Sequence, residues 1–153
     1  MALKSGDKAP KFEALSTDGR VIRLDDYRGK KLVLYFYPMD DTPGCTAQAC
    51  SLRDFNKEIA ARGASILGVS SQDESSHQKF TKKYKLNFPL LADTQRTIAK
   101  AYGATGSGLG ALARGLAGIT DRITYVIDEK GRIAHVLDDP NCAEHGEEVL
   151  KLL

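Results

Sequence analysis

Two continuous apolar segments dominate the hydrophobic pattern of this chain. Residues 30–38 (KKLVLYFYP) and 64–70 (ASILGVS) are typical of strands buried on both faces of a sheet. Between them, Leu52, Phe55 and Ile59 recur at the spacing of a helix with one apolar face. A strand, a helix and a strand within about forty residues predict a βαβ unit, in which the strands are parallel and the crossover is right-handed.

Turn residues and alternating patterns predict the other elements. Asp18-Gly19 lies between two short strands in residues 12–29, because Asp-Gly adopts the positive φ angles of a tight hairpin. A second hairpin turns at residues 129–132. Helices are predicted in residues 73–86, 94–104 and 143–153, and a further strand in residues 88–93. This order predicts an α/β fold, a single thioredoxin-like three-layer sandwich over residues 1–153 with a central mixed sheet and an N-terminal β-hairpin.

The segment from Tyr102 to Gly118 is rich in glycine and alanine, and we interpret it as a mobile loop or a loosely formed helix. Within it, residues 108–113 (GLGALA) fit the pattern G-x-G-x-x-A. A dinucleotide site requires that motif to follow a strand, whereas here it follows a predicted helix. We therefore expect no cofactor.

The composition narrows the classes of partner. The 153 residues are 42% hydrophobic and 27% charged with a net charge of +2, which gives no electrostatic basis for binding nucleic acid. The lysines of the second predicted helix are interpreted as a solvated face; they are Lys79, Lys82, Lys83 and Lys85. A membrane span needs about 18 consecutive apolar residues, and no segment reaches that length. The N-terminus lacks the apolar core of a signal peptide. We expect a cytoplasmic protein that binds neither nucleic acid nor membranes.

Three cysteines, Cys45, Cys50 and Cys142, are too few and odd in number for the disulfide framework of a secreted scaffold. Metal binding, catalysis and packing are the remaining uses. Cys142 and His145 resemble half of a zinc site, but no second pair has ligand spacing, so no metal is predicted. The other two histidines, at positions 77 and 135, are interpreted as ordinary surface or sheet residues.

Cys45 is the strongest candidate for a reactive thiol. Thr42 before Pro43 suits an N-cap followed by proline at the first helical position, which puts Cys45 in the first turn. There the free N–H groups and the helix dipole stabilise a thiolate. The alternative is a packing role, because Cys45 shares a helix face with three apolar residues. The loop before it, with two acids between two prolines at the end of a parallel strand, favours the reactive thiol.

Cys50 is separated from Cys45 by about 140° around an intact helix and ~7.5 Å along it, which puts their Cα atoms ~8.7 Å apart. A disulfide needs these atoms within about 7 Å of each other. The two cysteines can therefore bond only if the first turns of the helix unwind, which would couple conformation to redox state. A passive place in the helix is equally consistent with Cys50 alone.

The residues around Cys45 resemble a known active site. The sequence PMDDTPGC, from Pro38 to Cys45, matches the P-x-x-x-T-x-x-C signature of the peroxiredoxins. The segments GCTAQACSLRD, FPLLAD and RITYVID resemble the Q-type, or bacterioferritin comigratory protein, branch of that family. The similarity runs over nearly the whole chain in order. It implies a thiol peroxidase that reduces hydrogen peroxide and organic hydroperoxides.

The resemblance also implies a role for each site residue. Cys45 corresponds to the peroxidatic cysteine, and Thr42 to the residue that hydrogen-bonds the peroxide. Pro38 shields the thiolate from water, and Arg122 stabilises the thiolate and orients the peroxide. Cys50 corresponds to the resolving cysteine, which forms an intramolecular disulfide with Cys45 after local unwinding; thioredoxin or a similar dithiol then reduces that bond. We expect a monomer.

Three features depart from the family pattern. Gln48 stands where glutamate is usual, which alters a polar contact near the site. The glycine-rich residues 103–118 form a longer and less aromatic segment than in familiar members. Cys142 has no counterpart, and its possible roles are a second resolving thiol, a glutathionylation site or a passive residue before the last helix.

Two other functions fit the same fold. A thiol-disulfide oxidoreductase needs two cysteines at C-x-x-C spacing, whereas Thr42 occupies the first of those places. A redox-sensing or chaperone-like interaction protein would respond to oxidation by exposing apolar surface to a partner. Oxidation would then change binding, whereas a peroxidase turns over its substrate.

Overall fold

The computed structural model describes residues 3–105 and 120–153, and its elements follow the predicted order. The strands are β1 (Glu13–Leu15), β2 (Val21–Arg23), β3 (Lys31–Phe36), β4 (Ala64–Ser70), β5 (Leu90–Ala92), β6 (Ile123–Ile127) and β7 (Ile133–Leu137). The helices are α1 (Pro43–Ala61), α2 (Glu74–Tyr84), α3 (Thr97–Ala101) and α4 (His145–Leu150), with 3-10 turns at Leu24–Tyr27 and Cys142–Glu144. Most of the glycine-rich segment, including the GLGALA motif, lies outside the described residues.

The central sheet is mixed, as predicted. Its strand order is β5-β4-β3-β6-β7, with β3, β4 and β5 parallel and β6 and β7 antiparallel to their neighbours. Strands β1 and β2 form the separate N-terminal hairpin, and Gly19 in its turn has a φ of 77°. Both predicted hairpins and the parallel βαβ unit are therefore confirmed.

Alternate residues of β3 face two different helical layers. Leu32, Leu34 and Phe36 pack in the cluster that contains Ile98 of α3. The alternate residues Val33, Tyr35 and Tyr37 lie on the other face. They pack in the cluster that includes Leu52 and Ile59 of α1. Each fully buried apolar side chain stabilises the fold by about 1.5–3 kcal/mol. The continuous apolar run of β3 thus results from burial on both faces, which gives a three-layer arrangement.

Strand direction decides which segments meet at the site. β3 ends at Phe36, which pairs with Ile123 at the beginning of the antiparallel strand β6. The loop that follows β3 and the residue that precedes β6 therefore lie at the same edge of the sheet. Helix α1 begins at this edge with Pro43, so the first turn of α1 and Arg122 become neighbours.

The last helix is shorter than predicted. Asn141 accepts a hydrogen bond from the Glu144 amide and so caps a 3-10 turn at Cys142–Glu144, before α4 begins at His145. The short polar side chain of an asparagine favours such a local turn over a continuous helix. Within the two described ranges, no helix is both long and apolar enough to span a membrane.

Candidate active site

The loop between β3 and α1 is held by a buried hydrogen-bond network centred on Asp40. Tyr37 donates its hydroxyl to Asp40 Oδ1 at 2.6 Å, and Ser76 Oγ donates to Oδ2 at 2.7 Å. His77 Nδ1 also lies 2.7 Å from Oδ2. Burial acts to raise the pKa of Asp40, but the hydrogen bonds from His77, Tyr37 and Ser76 outweigh it, so this pKa lies below its usual range. The network fixes the loop against the first turn of α2.

His77 is fully buried, and the prediction of an ordinary surface or sheet residue is wrong. It lies in α2, and its Nε2 donates to the carbonyl oxygen of Leu91 at 2.9 Å. His77 and Phe80 are the buried residues of this helix, at a spacing of three that places both on one face. That spacing was the available signal, but the loop that covers His77 comes from a distant part of the chain.

The neighbouring acid, Asp41, anchors the loop from outside. Asp41 has a positive φ of 61°, and its carboxylate accepts from Lys83 Nζ at 2.8 Å and from the Tyr84 hydroxyl at 2.7 Å. These hydrogen bonds, with that from Lys83 the stronger influence, lower the pKa of Asp41. Lys83 is exposed, as predicted for a solvated face, yet it also binds the loop.

Pro38 lies at the beginning of this loop and Thr42 at its end. Thr42 is the N-cap residue of α1, but its side chain does not cap the helix: Oγ1 donates to the Met39 carbonyl oxygen at 3.1 Å. The Thr42 hydroxyl therefore remains able to accept a hydrogen bond from a ligand. The Pro38 carbonyl oxygen accepts from Ser70 Oγ and from Gln72 Nε2, both at 3.3 Å.

Cys45 contacts the guanidinium of Arg122 in the first turn of α1. Arg122 Nη2 donates to Cys45 Sγ at 3.3 Å, and Nη1 donates to Gln48 Oε1 at 2.6 Å. Cys45 is 1% exposed and belongs to the apolar cluster on this face of the sheet, so it is both packed and next to a cation. A guanidinium and a helix N-terminus together stabilise a thiolate at this position.

The side-chain amide of Gln48 is fully buried, and its oxygen accepts a hydrogen bond whereas its nitrogen has no partner among the described residues. Gln48 lies one turn after Cys45, so the planar guanidinium reaches both residues at once. Its Nε2 has no hydrogen-bond partner among the residues that the structure describes. Among the described residues, one buried donor next to the guanidinium that binds Cys45 is therefore unpaired.

Cys50 lies in the uninterrupted part of α1 and is a free, half-buried thiol. Directly after Cys50, Ser51 Oγ accepts a hydrogen bond from the backbone amide of Gly146 at 2.8 Å. Gly146 packs so closely that a methyl group on it would collide with the Ser51 carbonyl oxygen and come within 2.7 Å of Phe55 Cδ2. Helix α4 thus holds α1 immediately beyond Cys50.

His145 connects α4 to the sheet. Its Nε2 lies 2.8 Å from Thr124 Oγ1, and its Nδ1 lies 3.1 Å from Glu148 Oε1. Burial lowers the pKa of His145, although the Glu148 carboxylate acts in the opposite direction. Both ring nitrogens are engaged in packing α4, rather than pairing with Cys142 as half of a metal site.

Cys142 lies against the first turn of α1, which nothing in the sequence indicated. A methyl group on Gly44 would be 3.8 Å from Cys142 Sγ and 3.2 Å from Arg122 Nη2. The third thiol is therefore at the edge of the same site as Cys45. No local pattern could reveal this, because the contact depends on how the C-terminal segment docks on α1.

The mixed sheet is thioredoxin-like, and a thiol lies beside a guanidinium at the first turn of α1. Together these features define a class of proteins whose chemistry takes place at a cysteine sulfur. Residues 5–136 match the AhpC/TSA family. The chain is 39% identical to peroxiredoxin Bcp of Escherichia coli K12, over 99% of this chain and 96% of that protein. The chain therefore belongs to the AhpC/TSA family and is a thiol-dependent peroxidase of the peroxiredoxin class.

Solved structures point to the same branch. PrxQ of Xylella fastidiosa superposes with a TM-score of 0.90 at 26% identity, over 99% of this chain and 95% of that one. The bacterioferritin comigratory protein of Xanthomonas campestris, studied for its alkyl peroxide reduction activity, gives a TM-score of 0.84 at 27% identity, over 92% and 88%. The predicted thioredoxin-like fold and the resemblance to the Q-type branch are thus confirmed.

Proposed function

We propose that this chain reduces hydrogen peroxide and organic hydroperoxides at Cys45, with Cys50 as the resolving thiol and thioredoxin or a similar dithiol as the reductant. The contact of 3.3 Å between Arg122 Nη2 and Cys45 Sγ, at the N-terminus of α1, carries this proposal. The alkyl peroxide reduction activity of the similar Xanthomonas protein supports the substrate class.

The first step of the proposed cycle is oxidation of Cys45. Its thiolate attacks one oxygen of the peroxide, so that an S–O bond forms and the O–O bond breaks. The sulfur loses two electrons to the peroxide, and the leaving oxygen takes up a proton and departs as water or an alcohol. Arg122 and the first-turn amides stabilise the charge that moves onto that oxygen. The Thr42 hydroxyl orients the peroxide, and Pro38 shields the thiolate from water.

The second step joins Cys45 to Cys50. The Cys50 thiolate attacks the sulfenic sulfur, the S–S bond forms, and the hydroxyl leaves as water after taking up a proton. Because α1 is continuous through both residues, its first turns must unwind before the sulfurs can meet. The external dithiol then reduces the disulfide by exchange and restores both thiols.

Two further proposals concern the oligomeric state of the protein and its location in the cell. The cycle uses two thiols of one helix, so one chain is sufficient, and we propose a monomer formed by one domain. A cytoplasmic location suits a site that must return to the reduced state after each turnover. Sedimentation velocity of the reduced protein tests the first of these: a stable dimer would contradict it.

The decisive experiment measures peroxide consumption driven by thioredoxin, thioredoxin reductase and NADPH. Wild-type protein is expected to turn over, and Cys45→Ser to lose all rapid reaction with peroxide. Turnover of Cys45→Ser at the wild-type rate would overturn the proposal. If oxidation instead changed binding to an apolar partner without any turnover, the interaction-protein alternative would replace it.

The role of Cys50 has its own test. In the Cys142→Ser variant, Cys45 and Cys50 are the two remaining thiols. After one equivalent of hydrogen peroxide, peptide mapping is expected to find the Cys45–Cys50 disulfide. Persistence of a free Cys50 thiol beside an oxidised Cys45 would show that another thiol resolves the sulfenic acid.

A further inference from the structure

The position of Cys142 gives Cys45 a second potential partner. Arg122 Nη2 lies 3.3 Å from Cys45 Sγ and 3.2 Å from the point at which a Gly44 methyl group would sit. That same point is 3.8 Å from Cys142 Sγ. Taken end to end, these distances place the two sulfurs no more than about 10 Å apart.

Gly44 keeps the space between Cys142 and the guanidinium free of a side chain. Any larger residue there would project toward both groups. Because Gly44 has no Cβ, its own side chain does not separate Cys142 from the guanidinium that contacts Cys45. Gln48, which shares the guanidinium of Arg122 with Cys45, has a buried Nε2 without a partner among the described residues.

The two thiols differ in what must move before they reach Cys45. Cys50 belongs to the same helix, so α1 must lose its hydrogen bonds across residues 46–50. The hydrogen bond and close packing of Gly146 on Ser51, directly after Cys50, oppose that unwinding. Cys142 is half-buried and lies outside α1, at the beginning of a 3-10 turn. A Cys45–Cys142 bond would instead move the first turn of α1, around Cys45, and the 3-10 turn that carries Cys142.

We propose that Cys142 is a second resolving thiol, a role that rests on the peroxidase function proposed above and deepens it. The Cys142 thiolate attacks the sulfenic sulfur of Cys45, the S–S bond forms and the S–O bond breaks. The departing hydroxide takes up the proton that Cys142 released and leaves as water. The step needs no oxidant beyond the peroxide already consumed, and the disulfide is reduced by the same dithiol.

The test compares Cys50→Ser with the double variant Cys50→Ser/Cys142→Ser. Each protein receives one equivalent of hydrogen peroxide, and a sulfenic acid is trapped with dimedone at successive times. In Cys50→Ser, we expect loss of two thiols per chain, a monomeric Cys45–Cys142 disulfide by peptide mapping, and a sulfenic acid at least about tenfold shorter-lived than in the double variant. The double variant is expected to accumulate the sulfenic acid, because no thiol remains to capture it.

Several outcomes would overturn the inference. Equal sulfenic acid lifetimes in the two variants, without a Cys45–Cys142 peptide, would show that Cys142 is passive. A Cys142 disulfide found only between two chains would also contradict an intramolecular route. Failure of the double variant to form any sulfenic acid would instead overturn the peroxidase function of Cys45, so the two failures are distinguishable. Thermal unfolding of both variants confirms that each is folded.

Discussion

At the scale of single residues, Arg122 has two fixed contacts in α1. One guanidinium nitrogen contacts Cys45 Sγ, and the other donates to Gln48 Oε1. These contacts hold the positive charge next to the sulfur. The amide of Gln48, unlike the glutamate usual in peroxiredoxins, positions the guanidinium without neutralising it. In the proposed cycle, the charge of Arg122 therefore remains available to the Cys45 thiolate and to the oxygen that leaves when the O–O bond of the peroxide breaks.

Replacement of Arg122 tests this arrangement. We expect Arg122→Gln to slow the reaction of Cys45 with hydrogen peroxide by about 100- to 1000-fold, the loss typical of removing a fixed donor from developing charge. Arg122→Lys keeps the charge but cannot contact both partners with one planar group, so its rate should fall in between. Stopped-flow kinetics measures the three rates, and equal rates would contradict the proposed role.

At the scale of elements, the two acids of the loop before α1 fix that loop to opposite ends of α2. Asp40 is held inside by Tyr37, Ser76 and His77, and Asp41 is held outside by its hydrogen bonds to that helix. The loop carries Pro38 and Thr42, so their position depends on this anchoring. An element far from Cys45 in sequence thus determines the geometry of its pocket.

Asp40→Asn is expected to lower the free energy of unfolding by about 1–3 kcal/mol at neutral pH, because a buried carboxylate loses its hydrogen bonds. The pKa of Asp40 is lowered by folding, so its stabilising contribution is complete above the ordinary aspartate value of about 4. That contribution is lost as the pH falls through the lower folded pKa. The difference between wild type and variant should therefore narrow below about pH 4.

Urea unfolding at a series of pH values measures this difference. Asp41→Asn is the matched control: it changes the neighbouring acid, which is exposed, and asparagine tolerates the positive φ at that position. Its effect should be smaller than that of Asp40→Asn. A difference for Asp40→Asn that stayed constant into strongly acidic solution would contradict the network.

The docking of α4 gives a second pH dependence. Burial lowers the pKa of His145, so the unfolded chain binds a proton more readily than the folded one. Stability should be complete above about pH 6.5 and should decline as the pH falls toward the lowered folded value. His145→Gln is expected to remove this slope from the melting temperature. His135→Gln, at an exposed position of β7, should retain it, and a slope unchanged in His145→Gln would refute the assignment.

At the scale of the whole molecule, the sheet brings together residues that are far apart in sequence, and oxidation should disturb only one part of it. In Cys142→Ser, formation of the Cys45–Cys50 bond requires residues 43–50 to unwind. Residues 52–61 pack apolar side chains in the same cluster as residues of β3, and Phe55 among them lies against Gly146 of α4. Hydrogen exchange should therefore accelerate in 43–50 and remain slow in 52–61 after oxidation. Equal exchange in the reduced and oxidised proteins would contradict local unwinding.

The sequence supported the order of the elements well, because continuous and periodic apolar patterns are local properties. The strands and helices of the βαβ unit, both hairpins and the signature around Cys45 could all be recognised in this way. The prediction for His77 was wrong, whereas Thr42 is the N-cap residue as predicted, although its hydroxyl does not cap the helix. His77 is buried by a loop from another part of the chain, and the Thr42 hydroxyl bonds to Met39 instead of the helix. Both depend on how the loop folds over α2.

By itself, the sequence determined the α/β class, the placement of Cys45 at a helix start and the separation of Cys50 along an intact helix. Each of these follows from backbone geometry over a few neighbouring residues. Only the tertiary structure decided that Gln48 shares Arg122 with Cys45, that Asp40 and His77 support the loop, and that Cys142 lies beside Gly44. These contacts join distant segments, and they exist because antiparallel pairing of β3 with β6 and docking of the C-terminal segment bring those segments to one edge of the sheet.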